Sequence, residues 1–377
     1  LEAVQHPREI NQDKVNSQQM RRILDRLAGY KISPVLQKKI GGPLSAGRVQ
    51  SIALKLIVQR EREIEAFVPE EYWHVQALLE GSTPPPFQVR LEKRDGQKIR
   101  LGNEADTQAV LEELRQGEYR LDQIRRKSRR RLPGPPLITS TLQQEAYKRF
   151  GYSVKKTMQI AQHLYEGVTL GQGETTGLIT YMRTDSFRLA KEAEDAAAAF
   201  ILEQHGERFK PQKPNVFGKK ARAQDAHEAI RPTLPLRKPA EIRPFVDDAG
   251  YKVYSLIWER FLASQMAPAE VEETVYDVVN GLCLLQAKGE VVVFQGHLAV
   301  GRQTASEEVL PALVQGEVLA CGKLEGTQHF TKPPARYTEA SLVKILEEKG
   351  IGRPSTYATI IDTLGKRDYI QREDKKF

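Results

Sequence analysis

The sequence predicts a multidomain protein of mixed α and β class, because helical and strand-like patterns alternate in long blocks. Apolar residues recur at helical spacing in residues 17–66 and again in 338–364. Strand-like alternation with turn signals occupies residues 72–131 and resumes in 271–322. A mostly helical block, residues 139–266, separates the two strand-rich blocks. This nested order predicts a chain that leaves each outer region and later returns to it.

The first helical region is expected to break in two. Residues 17–30 place four apolar side chains at helical spacing, and Gly29 and Pro34 predict an interruption. A Gly-Gly-Pro turn follows. Beyond it, an apolar stripe predicts a second amphipathic helix that runs toward Phe67.

The first strand-rich block contains one tight turn, one short helix and one basic run. Asp95-Gly96 signals a hairpin turn, and residues 105–117 predict the helix. The run from Arg125 to Arg131 is almost wholly basic. It fits a solvated strand end and also a contact with backbone phosphates, and the sequence leaves both interpretations open.

A proline-rich boundary at residues 133–136 opens the central block. Apolar periodicity there predicts four helices, at residues 140–151, 153–167, 190–206 and 251–266. The segment GLITYMR is the one strand predicted in this block. Residues 210–223 are rich in Pro, Lys and Gly and predict a loop.

The overall composition favours a polyanionic partner but also fits an ordinary basic enzyme. The chain has 377 residues and a formal net charge of +8. Its two cysteines, Cys283 and Cys321, lack CxxC spacing, which argues against a zinc site and favours a reducing cytosol. No apolar run approaches the roughly 18 residues of a membrane span, and no signal peptide is recognisable. A first residue of Leu and an ending in EDKKF lead us to expect a fragment of a longer protein.

The stretch GLITYMRTDS, residues 177–186, carries the clearest chemical signal. On a strand, Ile179, Tyr181 and Arg183 would share one face, and Asp185 would continue it. The opposite face would carry Leu178, Thr180 and Met182.

Such a face suits covalent catalysis on a phosphodiester. A neutral phenol is a poor nucleophile, but a nearby guanidinium favours the phenolate and can neutralise a phosphate under attack. Asp185 could hold that guanidinium in place. The alternative is structural: a strand-end tyrosine packed on Arg183, with Asp185 or Ser186 capping the next helix.

The first helix offers a second candidate surface. Arg22, Arg26 and Tyr30 lie at i, i+4 and i+8 on one helical face, and Arg21 and Asp25 form an i,i+4 pair beside it. Arginines on phosphates and a tyrosine under a base suit single-stranded DNA. A solvated face with one ion pair is the alternative.

Three further segments could meet phosphate. The first is a glycine-containing turn that leads into a helix. The N-terminus of that helix could attract phosphate, or the turn could simply start the helix. The turn comprises Ser45, Ala46, Gly47, Arg48, Val49 and Gln50. His227 and Arg231 are predicted at i,i+4 on a helix that ends at Pro232, where they reach phosphate or simply complement the helix dipole. In GRPSTY, Pro354 signals a helix start with Arg353 and Thr356 beside it. Arg367 is a further candidate.

These motifs together resemble bacterial type IA DNA topoisomerases. GLITYMRTDS resembles the active-site motif of that family, and Met182 looks like its topoisomerase I branch. Six other segments match in order and spacing along nearly the whole chain: LSAGRVQS (44–51), REREIEAFVPEEYW (60–73), LITSTLQQEA (137–146), TMQIAQHLYEG (157–167), DAHEAIRPT (225–233) and GIGRPSTYATII (350–361).

The resemblance implies a toroidal arch made of helical domains and a strand-rich hinge domain. Residues 1–66 would hold the end of a Toprim linker and the first part of domain IV. Domain II would comprise residues 67–139 and 267–332, and domain III, with Tyr181, residues 140–266. Residues 333–377 would be a truncated second part of domain IV.

The resemblance also implies the roles of the candidate residues. It places Arg21, Arg353 and Thr356 against DNA phosphates at the active site and His227 near the cleavage point. Arg26 and Tyr30 would surround a base upstream of that point. The turn Ser45–Gln50 would contact DNA.

A member of this family relaxes negatively supercoiled DNA. It cleaves one strand through a 5′-phosphotyrosine, passes another strand through the gap and reseals without ATP. The full enzyme would use Mg²⁺, held by a DxDxE cluster in a Toprim domain. Asp247-Asp248 lack that spacing, and zinc-ribbon cysteines are absent, so we expect no cofactor in this chain.

The expected partners are single-stranded and negatively supercoiled DNA and, in cis, the missing Toprim domain. We expect a monomer in the cytoplasm, at the bacterial nucleoid, with no membrane contact. The chain alone is expected to bind single strands without relaxing DNA. The rivals are a non-enzymatic single-stranded DNA-binding scaffold, a reverse gyrase, and a tyrosine recombinase, which normally carries its tyrosine on a helix.

Overall fold

A computed structural model describes residues 5–6, 9–42, 44–171, 173–218, 227–301 and 308–377. Long helices and a large antiparallel sheet both occupy these residues, so the predicted mixed α and β class is confirmed. The chain divides into two compact units. The first unit contains the described residues of Leu1–Glu65, Thr139–Gln159 and Ala335–Phe377, and the second those of Ala66–Ile138 and Ile160–Pro334.

The predicted blocks are visible in the bounds of the elements. The helices are α1 (Gln12–Ile40), α2 (Arg48–Glu65), α3 (Glu104–Gln116), α4 (Thr139–Phe150), α5 (Val154–Glu166), α6 (Lys191–His205), α7 (Pro239–Ile242), α8 (Asp248–Ser264), α9 (Glu339–Glu348) and α10 (Tyr357–Lys366). The strands are β1 (Glu71–Glu80), β2 (Phe87–Arg94), β3 (Gln97–Lys98), β4 (Tyr119–Arg131), β5 (Val168–Leu170), β6 (Glu174–Thr176), β7 (Ala269–Asn280), β8 (Cys283–Phe294) and β9 (Val318–Phe330).

The sheet of the second unit closes on itself. Its seven strands follow the order β1-β9-β4-β7-β8-β2-β3. An additional β1–β2 pairing closes all of them except β3 into a six-stranded barrel. Strands from both sides of the central helical block therefore share one sheet. The turn between β2 and β3 has positive φ at Asp95 and Gly96, as the hairpin signal predicted.

The barrel interior is filled by alternate residues of its strands. Val75, Ala77 and Leu79 on β1 are almost fully buried. Helix α3 covers one side of this core, capped by Asn103, whose side chain accepts a hydrogen bond from the Asp106 N–H at 2.9 Å.

Strand β4 runs beyond the barrel. It pairs with β9 only at Tyr119 and Arg120, whereas its pairing with β7 continues to Arg131. Strands β4, β7 and β8 therefore extend as a three-stranded ribbon, which we call the basic ribbon and define as residues 125–131, 269–275 and 288–294.

Helix α1 differs from the prediction because it is not interrupted. It continues through Gly29 and Pro34 to Ile40, although proline cannot donate an intrahelical hydrogen bond. Contacts to the next loop hold the turn that contains the proline. The Ser33 hydroxyl accepts from the Ala46 N–H at 3.0 Å, and the Gln37 side chain donates to the Leu44 carbonyl at 2.8 Å.

The core of the first unit is built from helices that are far apart in sequence. Ala53 and Ile57 of α2 pack in one cluster with Leu342 of α9 and Ile360 of α10. The two outer helical blocks thus form one core, in keeping with the nested order of the sequence.

The central block also contains features that the sequence did not predict. The four predicted helices correspond to α4, α5, α6 and α8, but a short β5–β6 hairpin was missed. The predicted loop at 210–223 has no helix or strand from Lys210 to Gly218, and its remainder lies outside the described residues.

Candidate functional site

Tyr181 lies on an extended segment of the second unit that is not a β-strand. A single isolated bridge joins Ile179 to Pro232, and the backbone bends at Thr180 and again at Met182-Arg183. The predicted strand is therefore wrong. Because Pro232 has no N–H, a regular ladder cannot continue along this partner.

The predicted sharing of faces also fails. Leu178 and Ile179 are adjacent and both fully buried, which excludes simple alternation. Tyr181 is half-buried, Met182 is buried and Arg183 is exposed. Tyr181 does not lie on a helix either, which argues against the recombinase alternative.

A dense set of hydrogen bonds fixes this segment to residues 229–233. The Thr180 N–H donates to the Arg231 carbonyl at 2.9 Å, and the Thr233 N–H donates to the Leu178 carbonyl at 3.0 Å. The Thr180 hydroxyl donates to the Ala229 carbonyl at 2.7 Å. The backbone around Tyr181 is therefore held from one side by main-chain and side-chain bonds.

Two aromatic rings contact the Tyr181 phenol ring. The Tyr165 ring centroid lies 5.4 Å from that of Tyr181 in an edge-on arrangement, and the His227 centroid lies at 5.0 Å. The structure thus brings His227 to Tyr181, as the motif implied. Tyr165, at the end of α5, was missed as a neighbour, although it belongs to a motif that the sequence analysis quoted.

His227 and Arg231 do not share a helix. Residues 227–232 are extended, so their predicted i,i+4 relation is wrong, and Asp225 of the same motif lies outside the described residues. The extended form follows from the hydrogen bonds to residues 177–181 just described, which occupy backbone groups that a helix would need.

The Arg231 guanidinium forms hydrogen bonds within the protein. Its Nε donates to Glu228 Oε2 at 2.9 Å, and its Nη1 donates to the Pro232 carbonyl at 2.9 Å. The side chain of Arg231 is only 11% exposed. Arg231 therefore stabilises the loop that carries His227, and its contact with phosphate stays a prediction.

Glu228 connects this loop to the start of α6. Its Oε2 also accepts from the Ala190 N–H at 3.0 Å, where Ala190 is the residue before the helix. The structural alternative for the motif, in which Asp185 or Ser186 caps this helix, is therefore not observed. Burial alone would raise the pKa of Glu228, but the hydrogen bonds from Arg231 and Ala190 hold that pKa below its usual value.

The lowered pKa of Glu228 predicts a pH dependence of stability. The ionised carboxylate stabilises the fold above its unfolded-state pKa, and this contribution is lost as pH falls through the lower folded-state pKa. We expect wild type to exceed Glu228→Gln in unfolding free energy at neutral pH and to lose that advantage in acid. Urea denaturation at several pH values measures the difference; an advantage that stays constant into acid would contradict this role.

Arg183 and Asp185 complete the predicted catalytic motif in sequence. Within the described residues, no hydrogen bond, ion pair or ring contact joins the exposed Arg183 guanidinium to Tyr181. Asp185 is half-buried. The contacts to the Tyr181 ring come from Tyr165 and His227, so the role of Arg183 stays a prediction.

The first unit carries the candidate DNA-binding residues of α1. Arg21, Arg22, Arg26 and Tyr30 are all exposed, and Tyr30 is 78% exposed. Since the helix is continuous, Arg22, Arg26 and Tyr30 share a face as predicted. The Arg21–Asp25 pair is wrong, because Asp25 instead accepts from Arg48 Nε at 2.8 Å.

The Ser45–Gln50 segment is a turn that enters α2 at Arg48, as predicted. The Ser45 N–H donates to the Tyr369 hydroxyl at 2.6 Å, and that hydroxyl donates to the Ser45 carbonyl at 2.9 Å. The Ala46 N–H is also bonded, to Ser33. Any anion binding here therefore depends on the first turn of α2, which begins with Arg48, Val49 and Gln50.

The GRPSTY segment leads into α10, which begins at Tyr357. The Thr356 hydroxyl accepts from the Arg353 N–H at 2.8 Å and donates to its carbonyl at 3.0 Å. The Arg353 side chain is exposed. Arg367 is half-buried, and its Nη1 is enclosed without a hydrogen-bond partner among the described residues.

The described residues do not fit a bound metal ion. No group of three His, Cys, Asp or Glu side chains in this part of the chain is arranged to hold one. Asp247 caps α8 by accepting from the Gly250 N–H at 2.7 Å, and Asp248 pairs with Arg243.

Among the helices that the structure describes, none combines the length and hydropathy needed to cross a membrane.

The fold and the sequence place this chain in a known class of protein, the DNA topoisomerases. A family model described as DNA topoisomerase matches residues 9–377. The chain therefore belongs to the DNA topoisomerase family, and the resemblance to its bacterial type IA members is confirmed.

Individual relatives make the match more specific. The chain is 46% identical to DNA topoisomerase 1 of Xylella fastidiosa strain 9a5c over 394 residues, covering all of this chain and 48% of that protein. It is 46% identical to DNA topoisomerase 1 of Pseudomonas aeruginosa, of which it covers 42%. The chain thus spans about half the length of the curated relatives it matches.

A solved structure supports the same family. The full-length topoisomerase I of Thermotoga maritima superposes with a TM-score of 0.83 at 38% sequence identity. All of this chain and 60% of that chain are covered.

Proposed function

We propose that this chain is the tyrosine-bearing part of a type IA topoisomerase that relaxes negatively supercoiled DNA. The observation that carries the proposal is the environment of the half-buried Tyr181. Hydrogen bonds hold its backbone segment, and the rings of Tyr165 and His227 contact its phenol ring. A nucleophile fixed in this way approaches a phosphate with little loss of conformational freedom.

In the proposed reaction, the Tyr181 phenol oxygen attacks a backbone phosphorus of one strand. A bond forms between tyrosine and the 5′ phosphate, the 3′ oxygen leaves, and the phenolic proton is passed to that oxygen. Reversal reseals the strand after another strand has passed. One phosphodiester replaces another, so no ATP is needed.

The neighbouring side chains would act on the phosphate. His227 can donate a hydrogen bond to a non-bridging oxygen, and the exposed Arg183 guanidinium can approach the same group once DNA is bound. For the whole protein we also propose Mg²⁺, held by an acidic cluster outside the described residues, in a monomer at the bacterial nucleoid.

The direct test is to trap the covalent intermediate. The full-length protein would be incubated with a cleavable single-stranded oligonucleotide and denatured, and the adduct would be located by peptide mass spectrometry. We expect the DNA on Tyr181. An adduct on any other residue would overturn the assignment.

The chain alone is proposed to bind single-stranded DNA through the exposed face of α1. If about four phosphates are neutralised, log K should fall with log salt at roughly −0.7 per phosphate. We expect Arg26→Ala to reduce that slope by about one phosphate and Tyr30→Phe to bind almost normally, because stacking needs the ring.

Arg115→Ala is the matched control, since this exposed arginine lies on α3 of the other unit and pairs with Glu112. Fluorescence anisotropy over a salt series measures the slopes. Affinity that does not change with salt would contradict electrostatic binding. A Tyr30→Phe loss equal to that of Tyr30→Ala would show that the hydroxyl matters rather than the ring.

A further inference from the structure

The basic ribbon divides its cations between two faces. Its strand β4 contains Arg125, Arg126, Lys127, Arg129, Arg130 and Arg131, all exposed. Register with β7 is regular from residue 123 to 131, so odd-numbered residues share one face and even-numbered residues the other.

Acidic residues neutralise most of the odd-numbered face. Arg125 pairs with Asp277 at 2.8 Å, Arg129 with Glu273 at 2.7 Å and Arg131 with Glu290 at 2.5 Å. These ion pairs join β4 to the neighbouring strands. Three of the six basic residues in the run therefore have a structural role.

The even-numbered face carries two arginines that no ion pair within the described residues neutralises. Arg126 and Arg130 have no ion pair with any residue that the structure describes. Thr274 lies opposite Arg126, and Glu270, opposite Arg130, is bound to Arg208. Glu272, opposite Ser128, is the exposed acidic residue between the two arginines, and it forms no ion pair with either of them. At about 3.3 Å per residue, the two arginines are about 13 Å apart along a stiff strand.

The outer edge of β4 is also open. Beyond Leu121, which bonds to Gly316 and Glu317, no described strand pairs with this edge. Its backbone N–H groups are therefore additional donors beside the arginines. The alternative is that these basic residues only protect the open edge against pairing with a strand of another molecule.

We infer that the even-numbered face of the basic ribbon binds the phosphate backbone of duplex DNA, through residues other than those of the tyrosine site. Single-strand binding normally needs aromatic rings for base stacking. The one aromatic residue of the ribbon, Phe294, is buried against Phe209 and Arg208, so the ribbon offers no exposed ring for stacking. Guanidinium groups on a flat strand suit phosphates without reading bases. The inference rests on the proposed function in that DNA is the substrate.

The test compares Arg126→Ala/Arg130→Ala with Arg115→Ala/Arg120→Ala in the full 377-residue chain. The control removes the same charge from exposed arginines that pair with Glu112 and Glu118. Each protein is titrated by anisotropy with a short blunt-ended duplex and with a non-pairing single strand of similar length, over a salt series.

We expect the ribbon variant to lower the duplex salt slope by about 0.9 per lost contact, about 1.8 in total, and to leave single-strand binding unchanged. Duplex binding equal to that of the control would overturn the inference. Equal losses of affinity for the duplex and for the single strand would also overturn the inference, because the ribbon would then bind single-stranded DNA. Aggregation with unchanged duplex affinity would overturn it in favour of edge protection.

The two proposals can fail separately. If the wild-type chain binds the duplex but no single strand, the proposal that α1 binds single-stranded DNA fails. The comparison of ribbon variants on the duplex still tests the second proposal. Circular dichroism melting of each variant shows that the barrel is intact, so that a loss of binding is not a loss of folding.

Discussion

Replacing Tyr181 by Phe in the full-length protein should abolish DNA relaxation and the covalent adduct, while single-strand affinity stays within about twofold of wild type. The ring contacts with Tyr165 and His227 remain in the variant, so only the nucleophilic oxygen is lost. Gel assays of supercoiled plasmid measure relaxation, and anisotropy measures binding.

Tyr165→Phe is the matched control for this experiment. It removes a phenolic hydroxyl from the neighbouring ring and keeps the edge-on contact at 5.4 Å. Relaxation by the Tyr165→Phe protein should persist. A Tyr181→Phe protein that still relaxes plasmid would show that another group carries the covalent bond.

Replacing Arg231 by Ala should destabilise the second unit by about 2 kcal/mol. The change leaves the Glu228 carboxylate without its partner and removes the bonds to the carbonyls of residues 232 and 233. Breaking a fully buried pair typically costs roughly 3–5 kcal/mol, and partial exposure lowers that figure here. Urea denaturation measures the change.

Lys191→Ala provides the comparison, because Lys191 forms an exposed pair with Asp195 on the adjacent helix α6. That variant should lie within about 0.5 kcal/mol of wild type. If Arg231→Ala were equally mild, Arg231 would not hold the loop.

Local signals in the sequence predicted most of the secondary structure. Apolar periodicity located α4, α5, α6 and α8, and Asp95-Gly96 identified a turn whose positive φ angles need such residues. The nested order of the blocks anticipated that strands on both sides of the central block share one sheet.

The errors occurred where distant residues decide the structure. Alternation around Tyr181 suggested a strand, but the partner is a proline-containing loop that lies about 50 residues later in the chain. Asp25 had a suitable partner at Arg21 yet pairs with Arg48. Glu228 and Tyr369 were missed because their roles depend entirely on contacts that no local pattern encodes.

The neighbours of Tyr181 were predicted better than the local geometry. Motif resemblance named Tyr181 and His227, and the structure places their rings together. The expected helical face of His227 and Arg231 suggested a phosphate contact for Arg231, whereas the structure shows its guanidinium paired with Glu228. A motif can therefore indicate which residues lie together, while the folded structure decides the partner of each side chain.

The closed barrel has a consequence for biosynthesis. Strand β1 pairs with β9 from Glu71↔Phe330 onward, so the ribosome must synthesise the whole intervening chain before the barrel can close. Until then, β1 and β2 have open edges, while the helices of the central block can already form. We expect the nascent chain to be most prone to aggregation in this interval, and late closure through such distant contacts to limit the folding rate.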